Sequence, residues 1–195
     1  LLGPISGLAV LIGSLIGVFL NPAGAIFGIF SVIPPFVGAV TAGLVRIKRG
    51  YLAGAIMFVA LLVFFAYPSG REAFMITWLH IIAMIVAFSP VAYIAGSTFN
   101  SPNYVKPVFG IVIASFVGVL ADHITGTAIA VWYFAPGLTA EILNSIMYVY
   151  PVERMVALIL ISIIAIPVYS SLRAAGLIDL LGQKDKKPEP TVRVG

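Results

Sequence analysis

Residues 108–134, VFGIVIASFVGVLADHITGTAIAVWYF, decide the fold class. The run exceeds the about 20 apolar residues that cross about 30 Å of hydrocarbon, and Asp122 and His123 are its only acidic or histidine side chains. It reads as a transmembrane helix. Five further runs are candidates on the same ruler, at residues 1–20, 23–45, 51–67, 74–95 and 151–172, all within the spanning range of about 17–25 residues. The expected architecture is therefore all-α. It is a polytopic membrane protein, a six-helix transmembrane bundle with kinked helices, occupying residues 1–176. Residues 177–195 turn polar and are expected to form a cytoplasmic tail. The connections are brief apart from residues 135–150, which leaves no room for a separate soluble domain.

Composition excludes the competing classes. Of 195 residues, 61% are hydrophobic and 9% charged, where soluble domains carry about 25% charged residues. Mean hydropathy is +1.13. A soluble globular domain, a disordered chain and a coiled coil are all excluded. The chain has no cysteine, which rules out disulfides, thiolate metal sites and thiol catalysis. It opens at Leu1 inside a hydrophobic run, whereas a cleaved signal peptide usually leaves a polar start. An N-terminal portion is expected to be missing.

Basic residues set the expected orientation. Alternating six spans puts Arg46, Lys48, Arg49, Lys106, Arg173, Lys184, Lys186, Lys187 and Arg193 on one side, and only Arg71 and Arg154 on the other. By the positive-inside rule, both ends of this chain lie in the cytoplasm of a cell membrane that it crosses several times.

Glycines and prolines interrupt the spans. Gly3, Gly7, Ser14 and Gly17 share a stripe, and Gly24–Gly28 and Gly38–Ala42 repeat the small-xxx-small spacing that lets helices approach closely. Such stripes serve packing within the chain or the docking of a partner membrane subunit. Pro34, Pro35, Pro90 and Pro167 fall within spans, where each removes a backbone hydrogen bond and favours a kink.

Intramembrane charge is more informative, because it costs at least about 2.5–3.5 kcal/mol at the bilayer centre. Asp122 and His123 lie deep in the fifth run. His80 lies about two turns inside the fourth, at a different expected depth, which makes a bis-histidine haem site a poor reading. Ser115, Gly118, Asp122, Thr125, Ile129 and Trp132 fall on one helix face at three- and four-residue steps. That polar face reads either as a substrate-cavity wall or as an interhelical hydrogen bond from Asp122 to a His or Ser.

Residues 148–154 read Tyr148-Val149-Tyr150-Pro151-Val152-Glu153-Arg154. Pro151 suits a first helical turn, and Glu153 complements the helix dipole. Arg154 violates both the dipole and the positive-inside pattern, so it needs a carboxylate or a ligand. Glu153 pairs with it, or Glu141 and Asn144 join it. Trp78, Trp132, Tyr133, Tyr148 and Tyr150 map near the outer interface, as an aromatic belt or as rings around a pocket mouth. Phosphate loops, HExxH and Gly-x-Ser-x-Gly are lacking, so no enzyme, metal site or cofactor is expected. A channel filter and a nucleic-acid partner are not expected either.

Leu2-Gly3-Pro4-Ile5-Ser6-Gly7-Leu8-Ala9-Val10-Leu11-Ile12-Gly13 resembles the GP-x-x-G-x-x-x-x-x-G helix of energy-coupling-factor (ECF) transporter S-components. Residues 150–154, Tyr150-Pro151-Val152-Glu153-Arg154, and the ending Pro167-Val168-Tyr169-Ser170-Ser171-Leu172-Arg173 extend the resemblance. In that family the GP-type helix follows another helix; here it opens the sequence, so either an N-terminal helix is expected to be missing or the six-span alignment is shifted by one. The resemblance implies a substrate-binding subunit that captures a vitamin or other micronutrient from outside. Its partners would be a transmembrane coupling subunit, two cytoplasmic ATPases and the lipid bilayer. The pocket would draw on the later helices and outer loops, with Trp78, Asp122, Trp132, Tyr133, Asn144, Tyr148, Glu153 and Arg154 as candidates. Two other readings stand beside it: a stand-alone proton- or ion-coupled transporter with Asp122 as coupling group, and a non-transporting membrane scaffold.

Overall fold

The computed structural model describes residues 3–101, 103 and 105–177. The polar tail and its Lys184, Lys186, Lys187 and Arg193 lie outside the described residues, as do Leu1 and Leu2. The described residues are helical and contain no strand. In order, the helices are α1 (Ser6–Leu20), α2 (Ile33–Arg46), α3 (Gly50–Ala66), α4 (Pro68–Glu72), α5 (Trp78–Phe88), α6 (Pro90–Thr98), α7 (Lys106–Tyr133), α8 (Ala140–Ser145) and α9 (Val149–Ala174). Each apolar run of the sequence holds helix, but the lengths differ from the expected set. Gly28–Arg46, Lys106–Tyr133 and Val149–Ala174 are long and apolar enough to cross a membrane, and α5 with α6 makes a fourth if that bent pair counts as one span. Helices α1 and α3 are apolar but have only 15 and 17 residues.

Helix α7 is the axis. It packs against α2, α3, α5, α6 and α9 and buries residues on all sides, from Pro107 to Val131. Helix α9 lies at the edge and buries only Tyr150, Ser162 and Tyr169. Its Ile159, Leu160, Ile163 and Ile164 are 55–64% exposed. A contiguous apolar face of that kind is unfavourable in water and suits lipid.

Small residues set the tightest crossing. A Cβ on Gly38 would lie 2.9 Å from the Gly118 carbonyl, and one on Gly118 would lie 2.9 Å from the Gly38 carbonyl. The α2 and α7 backbones therefore touch there. Gly7 meets Val40 and Phe36 of α2, while Gly13 and Gly17 face open space, so only part of the α1 stripe packs within the chain. Gly24 and Gly28 are not a helical pair: Pro22–Gly24 is a short 3-10 turn, and Gly28 has φ +57° at the start of another.

The prolines act differently from simple kinks. Pro34 and Pro35 sit in the first turn of α2, where a missing N–H is harmless. At Pro90 the fourth run breaks. Ser89 is extended, its Oγ accepts from the Val91 N–H, and the α5 and α6 axes differ by 67°. Pro167 is carried inside α9, which runs on to Ala174.

Candidate functional site

Asp122 lies in the middle of α7, one turn beyond the Gly38–Gly118 crossing. The absence of side chains at that crossing opens space beside it. Arg154, in the second turn of α9, turns inward to meet Asp122. Their nearest atoms, Nη1 and Oδ2, are 3.7 Å apart, while Arg154 Nη2 donates to Glu153 Oε1 at 2.6 Å. The hydrogen bond thus goes to the exposed Glu153, and Asp122 receives a Coulombic contact without one. Arg154 Nε is buried and has no partner among the described residues. Helix α9 begins at Val149, so Glu153 lies past its first turn and serves Arg154 rather than the helix dipole.

Beside this pair sits a cluster of rings. His80 near the start of α5 is fully buried, and its Nε2 lies 2.8 Å from Nδ1 of His123. One nitrogen must donate and the other accept, so the two imidazoles share a proton position. Tyr150 joins them. The three centroids are 4.9–5.3 Å apart with interplanar angles of 8–14°, a triangle of near-parallel offset rings. The expected difference in depth between the histidines is thereby corrected. His80 lies in the first turn of α5, just after the 3-10 turn Phe74–Thr77, and its contact with His123 puts the two rings side by side. Their nitrogens face each other too closely for a haem iron to sit between them.

Two cavities meet at Asp122 and Arg154. One, about 530 Å³, extends toward the Tyr133 end of α7. His123, Thr127, Ala130 and Phe134 form its wall, and Phe27, Ser31, Leu143 and Ile146 come over it from the α1–α2 connection and the α8 region. The other, about 500 Å³, extends toward the Lys106 end, between α2, α7 and α9, and reaches Arg46 and Phe99. Asp122 and Arg154 line both.

Of the residues singled out in the sequence, the structure brings Asp122, Glu153 and Arg154 together. Trp132 turns to α3, donating its indole N–H to the Val63 carbonyl at 3.0 Å with its ring edge-on to Tyr67. Tyr133 packs edge-on against Phe27 and Phe30, behind the wall of the Tyr133-end cavity. Trp78, Asn144 and Tyr148 are exposed and line neither cavity. Glu141 and Asn144 do not pair with Arg154; its carboxylate partners among the described residues are Asp122 and Glu153. The face traced through Thr125, Ile129 and Trp132 diverges for a geometric reason. At about 100° per residue, Thr125, Ile129 and Trp132 lie about 20–80° to one side of Asp122, whereas the wall residues of the cavity lie about 80–140° to the other. The cavity follows His123, Thr127, Ala130 and Phe134 instead. Thr125 is further occupied, donating to the Ala121 carbonyl.

Tyr150 is the residue that sequence reasoning assigned elsewhere, to the interfacial belt. Its spacing to Arg154, one helical turn, was the available signal that both face inward. Among the described residues no three His, Asp or Glu side chains gather as a metal site.

Fold and site together define an all-helical protein with membrane-length apolar helices and a charged centre between two cavities. The chain is 34% identical over 157 residues to an uncharacterized protein of Methanocaldococcus jannaschii, covering 80% of this chain. It spans about half of that relative, 52% of its length. No protein-family model matches the chain, and no solved structure does.

Proposed function

We propose that the chain is the substrate-binding membrane subunit of an ECF-type importer for a vitamin or other micronutrient. In this reading the Tyr133-end cavity faces outward and captures the substrate. A transmembrane coupling subunit and two cytoplasmic ATPases then drive its delivery. The observation that carries the proposal is the build of that cavity. Apolar residues, the rings of Phe27 and Phe134 among them, form most of its lining, Asp122, His123 and Arg154 add convergent polar groups, and the α1–α2 connection and the α8 region complete it. A small, mostly apolar site with a few convergent polar groups suits a nutrient-sized ligand. Arg154 can exchange a carboxylate for a ligand group without leaving its place, since Glu153 is exposed and Asp122 holds it only at 3.7 Å. The orientation follows the basic residues: Arg46, Lys48 and Arg49 end α2 away from this cavity, and the six-span map puts that end in the cytoplasm.

Reconstitution tests it. Substrate should bind the purified chain alone, while uptake into liposomes needs the coupling subunit, the ATPases and ATP. A second reading, a stand-alone coupled transporter, is favoured by one observation: Asp122 and Arg154 face both cavities. Uptake by liposomes containing this chain alone, driven by a proton gradient, would establish that reading and reject the first.

A further inference from the structure

We propose that the cavity toward the Lys106 end holds an acyl chain of one anionic phospholipid, with the lipid phosphate seated at Arg46, Lys48 and Arg49. The inference requires that the chain lie in a membrane and does not rest on the capture reading. Three helices line this cavity over matching lengths: Pro35 to Arg46 on α2, Ile111 to Asp122 on α7, and Arg154 to Ala165 on α9. Each stretch advances eleven residues, about 16 Å at 1.5 Å per residue. That is about half of the 30 Å hydrocarbon core, the depth of one leaflet. Small residues, Gly38, Ala39, Ala42, Ala114, Gly118 and Ala157, contribute much of its lining and leave room between the helices.

Charge names the occupant. At the open end Arg46 lies over the Phe99 ring at 5.7 Å, and Lys48 Nζ lies 5.6 Å from the Tyr93 ring, so both cations are held in place by aromatic rings. Arg49 follows in the turn that ends α2, where Lys48 has φ +63°. The ion pairs among the described residues are those of Arg154, so these three cations have no carboxylate partner among the described residues. Of the described acids, Asp122 lines the end of the trough far from Arg46, beside Arg154, and Glu72, Glu141 and Glu153 do not line it. Unpaired basic groups where an interhelical trough meets the membrane surface recognise anionic headgroups. The trough supplies what a free phosphate would not use, a slot for the hydrocarbon tail.

Native mass spectrometry of the detergent-purified chain tests this, with dioleoylphosphatidylglycerol against dioleoylphosphatidylcholine. The anionic lipid should be retained about tenfold more strongly, and the double variant Arg46→Gln, Lys48→Gln should remove that preference. Ala157→Leu, or separately Ala165→Leu, should weaken retention by filling the trough while leaving every basic residue in place. Melting temperatures of all variants are recorded alongside. Equal retention of the two lipids overturns the proposal, and so does undiminished retention in both trough-filled variants. Displacement of the lipid by glycerol phosphate overturns it in favour of a simple phosphate site. Recovery of a membrane protein in the trough with no lipid bound overturns it in favour of a docking surface.

Discussion

Removing one partner of the Asp122–Arg154 contact leaves the other charge facing apolar walls. The two changes should nevertheless differ. Arg154→Leu strands Asp122, which accepts no hydrogen bond from the described residues, and should cost about 1–3 kcal/mol in denaturant or thermal unfolding. Asp122→Asn leaves Arg154 bonded to Glu153 and should cost less stability, while weakening ligand binding about 5- to 150-fold. Equal destabilisation by both would mean that the 3.7 Å contact is the main support of the guanidinium. The histidine pair makes a separate prediction. His80→Leu removes the partner of His123 Nδ1 in a buried ring cluster and should lower stability by about 1–3 kcal/mol. A melting temperature unchanged by His80→Leu would place a water or another group at that nitrogen.

The helices themselves show what the sequence made legible. Each apolar run long enough to span a membrane holds α-helix, because in such runs the backbone must satisfy itself locally. Boundaries were lost where polar and apolar signals did not change together. Nothing in the hydropathy of residues 23–32 announces two 3-10 turns, since the side chains stay apolar while the backbone leaves the α-helix. The candidate site was half legible for the same reason. Asp122 and Arg154 stand out because charge in an apolar run is costly. The His80–His123–Tyr150 cluster did not, because it joins three helices, with His80 and His123 43 residues apart in the chain. Gly38 and Gly118 carry the element-scale prediction. Leucine at either would drive its Cβ onto the other backbone, and the overpacking should cost at least about 1–3 kcal/mol. Gly17→Leu, on the open face of α1, should cost little by the same assay.

At the scale of the molecule, the exposed isoleucines of α9 and the membrane-length helices are compatible with lipid around the bundle. Cysteines at Ser145 and at Arg49, both exposed and at opposite ends of α7's span, should react with impermeant reagents from opposite faces of the membrane. Labelling from the same face would contradict that arrangement of the spans. The central claim is that the Tyr133-end cavity captures a small molecule on Asp122. Its most direct test is a thermal-shift screen of the detergent-purified chain against vitamins and other micronutrients, with Asp122→Asn run beside the wild type. A ligand present at about 100 times its Kd should raise the wild-type melting temperature by about 5–10 °C and shift the variant far less. A compound that stabilises both proteins equally, or a screen in which nothing stabilises the wild type, would contradict the account.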